Sequence, residues 1–253
     1  MNFYSIYAIF RFEMARSART LMQSLAAPVL ATALYFVVFG SAIGSRMAEI
    51  GSIPYGSFIV PGLTLLAVLT QSVSNAAFGI YMPRYSGAIY EILSAPLSPT
   101  EIVFGYVGAA VVKSMVLAGA ILITARVFVP YEVAHPFWAF GILLLCAVSF
   151  SMLGFIVGLC VDGWDKLEVV PSLVITPLTF LGGSFYSLNM LPPTWQTISL
   201  FNPVVYLVDA FRWAFFDITE FNPMVDIAFL LAFLLVCVVI VGQIFRTGYR
   251  LQH

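Results

Sequence analysis

Few side chains in this 253-residue sequence are equipped for bond-making chemistry, and their placement argues against it. There are two histidines, His135 in an outer loop and His253 at the last position, so no His/Asp/Glu cluster is set up for hydrolysis or metal chemistry. Asp162, Asp165 and Glu168 mimic a cation site, but they lack further ligands and share a short loop with Lys166, which reads as a solvated face. The two lysines, Lys113 and Lys166, follow no glycine loop, so the G-x-x-x-x-G-K-[ST] device that cradles ATP phosphates is absent. Cys146, Cys160 and Cys237 all fall in apolar runs, where thiols are buried and inert and imply neither disulfides nor a metal. What remains are polar groups embedded in apolar segments, and those suit passage rather than catalysis.

Polar residues at membrane depth are the default functional candidates. Thr64, Gln71 and Asn75 are spaced i, i+7, i+11, one stripe of a helix, and Ser172, Thr176, Thr179 and Gly183 form a second. Each stripe either lines a hydrated path or joins helices, where small and hydroxyl residues are enriched. The Gly154/Gly158 and Gly40/Gly44 pairs read as packing devices. Lys113 lies near the middle of an apolar run, where a charge costs about 2.5–3.5 kcal/mol on insertion scales. No Asp or Glu occurs in the central half of another apolar run to neutralise it. Two readings stand: accommodation by carbonyls, Gln71 or lipid, or a cationic lining that meets an anionic headgroup or substrate.

The stretch 177–212 is apolar enough for a membrane, yet Gly182-Gly183, Pro192-Pro193 and Asn202-Pro203 break it three times. Proline removes a helical donor and Gly-Gly weakens a helix. Hydrocarbon cannot satisfy the freed backbone groups, so such a stretch must be buried in protein or line a wet cavity. Two short helical pieces, residues 195–200 and 204–215, are expected to dip into the membrane from one side.

These groups need a membrane scaffold to hold them, and the composition provides one. Apolar residues are 61% of the chain and charged residues 9%, far from the averages of soluble domains. A net charge of −1 gives no basis for nucleic-acid binding. A bilayer core of about 30 Å needs roughly 20 helical residues per span. Six segments qualify: residues 21–43, 57–80, 101–129, 137–161, 167–186 and 224–245, three of them with an internal proline (Pro28, Pro61, Pro177). The first is too long for the core of a signal peptide and reads as a retained span. The expected fold is therefore an all-α polytopic membrane protein with six transmembrane helices in a single domain.

Placing both ends in the cytoplasm puts Arg11, Arg16, Arg19, Arg84, Lys166, Arg246 and Arg250 inside. Only Arg46 and Arg212 are then clearly outside, with Arg126 near the outer end of its span, an asymmetry that sets the orientation. Two pieces are not spans. Residues 1–20 place Phe3, Ile6, Tyr7, Phe10 and Met14 on one face before a basic end, as in an amphipathic helix lying on the cytoplasmic surface. Residues 81–99 hold a short helix bounded by Pro83 and by Pro96 and Pro99, with Ile89, Tyr90, Ile92 and Leu93 apolar and Glu91 charged. That helix reads as a partner surface.

Along the whole chain these features resemble an ABC-2-type transporter permease. The resemblance is carried by Leu191-Pro192-Pro193-Thr194-Trp195, then Asn202-Pro203-Val204-Val205-Tyr206, then Arg212. Further matching stretches are Phe58-Ile59-Val60-Pro61-Gly62 and the run from Thr176-Pro177-Leu178-Thr179 through Phe180-Leu181 to Gly182-Gly183. It is closest to the short bacterial inner-membrane permeases, a group similar to exporters of drugs, lipo-oligosaccharides and capsule polysaccharides. The resemblance implies a pair of permeases, each docking a separate ATP-binding cassette subunit that holds the ATP and Mg, with no cofactor in this chain. Tyr90, Glu91, Ile92 and Leu93 would then form the coupling helix. The two polar stripes and Lys113 would line the pathway for an amphipathic substrate. Residues 188–215 would be outer re-entrant helices, with Gly182, Gly183, Pro192, Pro193, Asn202, Pro203, Tyr206 and Arg212 as an outer gate. An ATP-independent secondary transporter or channel is the alternative; it would need an internal repeat or a membrane-buried carboxylate, and the sequence displays neither.

Overall fold

The computed structural model describes residues 3–43 and 49–248. It is built of helices, with one two-residue hairpin, β1 (Glu49–Ile50) against β2 (Ile53–Pro54), whose turn uses Gly51 at φ +64°. In chain order the helices are α1 (Phe3–Arg19), α2 (Ala27–Tyr35), α3 (Tyr55–Ser86), α4 (Ile89–Ser94), α5 (Pro99–Phe128) and α6 (Pro136–Cys160). They continue with α7 (Trp164–Leu167), α8 (Thr176–Leu181), α9 (Pro193–Ser199), α10 (Pro203–Phe216) and α11 (Pro223–Thr247). π-helical turns flank α2 at Met22–Ala26 and Phe36–Ile43, and a third, Val170–Ile175, leads into α8.

Local chemistry sets most of these boundaries. Ser98 and Glu101 form a reciprocal capping box ahead of α5, with Pro99 at the first helical position where its missing donor costs nothing. Asn202 and Asn222 cap α10 and α11 by accepting from the amides of Val204 and Met224, each asparagine being followed by proline. Gly87, in the left-handed region at φ +80°, ends α3.

Five helical runs among the described residues are long and apolar enough to cross a membrane: Met22–Gly40, α3, α5, α6 and α11. They match five of the six expected spans. The expected span 167–186 is not among them, because its helix is assembled from α7, a π turn and α8 and stops at Gly182. The expected break at residue 81 is also absent, since α3 runs on through Pro83 to Ser86 while Tyr81 stays packed with Ala77, Val157 and Leu167.

α3 and α6 are the most enclosed runs, and α2 and α11 the most exposed. A Cβ on Gly154 would stand 2.3 Å from the Val73 carbonyl oxygen, and one on Gly158 would stand 2.3 Å from that of Ala77. This small-xxx-small pair therefore lets the two backbones touch. Gly44, of the other pair, lies outside the described residues. At the end of this contact Arg84 donates to the carbonyls of Gly158, Leu159 and Val161 and to Asp162, which satisfies the last turn of α6 and ties it to α3.

Candidate functional site

The broken stretch folds into a compact cluster at one end of the molecule. Ending α8 at Gly182 leaves carbonyls without helical partners, and side chains from later elements take them up. Asn202 donates from Nδ2 to the Leu178 carbonyl at 2.6 Å while its Oδ1 accepts from the Val204 amide at 3.0 Å. Ser184 Oγ donates to the Thr179 carbonyl at 2.7 Å. Arg212 donates from Nη2 to the Gly183 carbonyl at 2.5 Å, with its guanidinium carbon 4.0 Å above the Phe58 ring. Tyr206 donates to the Leu200 carbonyl at 2.9 Å. Gly183 takes φ +80°, and a Cβ on Gly62 would stand 2.3 Å from the Ser184 carbonyl oxygen, so the turn is pressed directly onto α3.

Pro193 and Pro203 occupy first-turn positions of α9 and α10, with Pro192 just outside α9. The helices expected over 195–200 and 204–215 are present as α9 and α10. Asn202, Tyr206 and Arg212 thus all brace freed backbone.

Beside this turn lies a cavity of about 510 Å³, lined by Arg212, Asp209, Glu220, Gln196 and Phe58 among others. Asp209 accepts from the Thr219 hydroxyl and from the Glu220 and Phe221 amides, and Glu220 accepts from the Ser187 hydroxyl and the Leu188 amide. Burial lowers the Arg212 guanidinium to about 10, with Asp209 and Glu220 acting in the opposite direction. The group therefore stays cationic at neutral pH.

The opposite end carries α4. Ile89 is buried and Ile92 packs against the core, while Tyr90 and Glu91 project outward, Tyr90 with half its surface exposed. The side chain of Leu93 lies outside the described residues.

The two polar stripes divide by depth. Thr64 and Thr179 are fully enclosed, and each hydroxyl donates to a carbonyl four residues back in its own helical run. Gln71, Asn75 and Thr176 are half-buried and Ser172 is exposed. Gln71 donates to Asn75 at 3.2 Å, and the Asn75 amide nitrogen has a free donor.

Lys113 has an acid after all, which corrects the sequence reading. Its Nζ lies 3.1 Å from Oε2 of Glu13, on α1, and the same oxygen accepts from Arg16 at 2.6 Å. Both partners of the Lys113 pair are buried, and Arg16 stacks over Phe78. The contact exists because α1 packs along α5: a Cβ on Gly105 would stand 2.7 Å from Ile9. Ile9 and Glu13 meet α5 and Ile6 and Phe10 are half-buried, while Phe3 and Tyr7 of the expected apolar face are exposed.

Sequence reasoning also missed Asp226 in the first turn of α11, which is 1% exposed with neither carboxylate oxygen hydrogen-bonded. Glu13 lies on a helix whose pattern reads as interfacial and Asp226 at the edge of an apolar run, and nothing local marks either as buried.

The family model of the ABC-2 type transporter matches residues 4–216. Inner membrane transport permease YadH of Escherichia coli (strain K12) is 37% identical over 238 residues, covering 92% of this chain and 93% of that protein. Nodulation protein J of Neorhizobium galegae is 25% identical over 209 residues, 82% of this chain and 77% of that protein. The apolar helical runs and the braced turn after α8 agree with a match that spans nearly the whole sequence, and the chain belongs to the ABC-2 type transporter family.

Proposed function

We propose that the chain is the membrane-spanning subunit of an ATP-driven exporter, working as a pair with a second copy in a bacterial inner membrane. Each copy docks one separate ATP-binding cassette subunit, which binds ATP and Mg. The observation that carries this reading is α4, a six-residue helix held by Ile89 and Ile92 that offers Tyr90 and Glu91 outward at the end where Arg84 clamps α3 to α6. A push on α4 would reach the enclosed α3–α6 pair as a unit. The relative named as an inner membrane transport permease supports the location.

In this reading the run from α7 to α8 is a sixth, shorter span and both termini are cytoplasmic. α9 and α10 form outer re-entrant helices over the pathway. Gln71, Asn75, Ser172 and Thr176 line it, whereas Thr64, Thr179 and Lys113 are bracing groups because their polar atoms are enclosed or paired. The cargo is an amphipathic molecule such as a drug, lipid or glycolipid. ATP binding closes the partner subunits and favours an outward-open arrangement about the shared interface.

Reconstitution with the ATPase tests the assignment. Glu91→Arg and Glu91→Ala should leave the permease folded while ATP hydrolysis no longer drives transport. Wild-type transport in both variants would remove Glu91 from coupling. One observation favours a second reading, an ATP-independent transporter: Asp226 is the kind of buried carboxylate such a protein needs. Gradient-driven transport without any ATPase, abolished in Asp226→Asn, would select it.

A further inference from the structure

A groove between α5 and α6 runs through the half of the molecule remote from α4. Its volume is about 730 Å³, within the usual range of small-molecule sites. Phe211 and Phe215 of α10, both fully buried, line it together with Met115 of α5 and Phe140 of α6. Gly119 opens it: a Cβ there meets nothing within 4 Å. Along α5 the groove extends from Val111 to Leu122, about 16 Å at the helical rise, close to half of a bilayer core of about 30 Å.

At its far end the groove continues, through Leu122 and Val133, into a polar mouth holding Arg126, Tyr131 and Glu132. The mouth is fixed in shape: the Tyr131 hydroxyl donates to the Leu122 carbonyl at 2.8 Å, and the Arg126 guanidinium lies 5.1 Å from the Tyr131 ring centre. Arg126 and Glu132 are both exposed, and among the described residues neither forms a salt bridge. An apolar slot one leaflet deep, ending in one cation and one carboxylate that do not pair with each other, matches a particular kind of molecule.

We propose that this groove binds one acyl chain of a phospholipid from the leaflet opposite α4, its phosphate on Arg126 and a primary ammonium headgroup on Glu132. Arginine suits the phosphate because its donors are charged and forked. A helix from a second copy fits less well, since it would need a groove running across the whole core, and this one stops at Val111. The site is defined relative to α4 by the fold alone, so it stands or falls independently of whether α4 docks an ATPase.

The test uses the full-length chain in phosphatidylcholine nanodiscs containing a photoactivatable acyl-chain analogue of phosphatidylethanolamine or of phosphatidylglycerol. Labelled peptides are read by mass spectrometry. The phosphatidylethanolamine probe should label residues 111–122 and 136–144, and Gly119→Phe, whose Cβ has open space and whose ring would occupy the groove, should cut that labelling roughly tenfold. Arg126→Gln should weaken labelling by both probes. Glu132→Gln should erase the preference for phosphatidylethanolamine over phosphatidylglycerol. If Gly119→Phe is not monodisperse, Gly119→Leu replaces it with the same expectation. Unchanged labelling in the filled variant, equal labelling by the two headgroups in the wild type, or cross-linking of two chains through Phe140→Cys would each overturn the proposal.

Discussion

Replacing Glu13 by leucine should damage this protein more than replacing Lys113 by methionine, although the two side chains form one ion pair. The asymmetry comes from what each change leaves behind. Glu13→Leu strands the Lys113 ammonium, whose side chain is 7% exposed, with no acid in reach among the described residues. Breaking a buried pair from one side costs about 3–5 kcal/mol. On a scale of about 2–4 °C per kcal/mol for a chain of this size, the melting temperature should fall by roughly 6–20 °C. Lys113→Met leaves Glu13 bonded to Arg16 at 2.6 Å, so its loss is limited to one charge-assisted hydrogen bond, about 1.5–3 kcal/mol before the gain from removing a buried ammonium. In the double variant no buried charge is left unpaired, and Arg16, a quarter exposed, can turn to water. It should lie within about 1 kcal/mol of wild type, because well-packed apolar replacements of buried pairs are close to neutral. Thermal unfolding in nanodiscs, run as a double-mutant cycle, measures all three. Additive losses, or a larger loss for Lys113→Met than for Glu13→Leu, would refute the pairing and the placement of α1 with it.

Two further outcomes follow from the close contacts. Gly62→Val should abolish the folded protein, since even a Cβ would overlap the Ser184 carbonyl at 2.3 Å, whereas Gly242→Ala in α11, with open space around it, should be tolerated or add up to about 1 kcal/mol; recovery as a monodisperse peak on gel filtration separates them. Asn202→Asp keeps the acceptor that caps α10 but loses the donor to the Leu178 carbonyl, so it should lower stability by about 1–3 kcal/mol in thermal unfolding, and a neutral result would mean that the freed carbonyl is satisfied some other way.

The parts of the fold legible from sequence are those whose cause is local. Gly182-Gly183, Pro192-Pro193 and Asn202-Pro203 act on their own backbone, so the helices around them could be placed as α9 and α10 before any packing was known. Spans with a proline or a cap at each end were equally readable. Contacts between distant segments were not. Glu13 and Lys113 are 100 residues apart, and burial of an acid on α1 depends on how that helix lies against α5. Arg84 reads as a loop arginine that orients the chain, yet it also closes the end of α6, 74 to 77 residues away. In the segment 167–186 the π turn and the stop at Gly182 are not legible, because hydropathy counts residues and not helical continuity. Thr64, Gln71 and Asn75 share one continuous helix, α3, whereas the stripe from Ser172 to Gly183 crosses a π turn and ends beyond α8, and periodicity alone does not show that Thr64 and Thr179 are sealed inside.

The Arg84 clamp and the glycine contact beneath it also impose an order on biogenesis. α3 leaves the ribosome about 75 residues before the Leu159 carbonyl that Arg84 will hold. At about 5–20 residues per second that interval is roughly 4–15 s. Throughout it α3 sits in the insertion machinery or the bilayer with the backbone that will meet Gly154 and Gly158 still uncovered. α3, as enclosed as α6 in the finished protein, thus spends that interval of synthesis without the helix that covers it. Changes on its α6-facing side would register first as degraded nascent chain and only afterwards as lost transport.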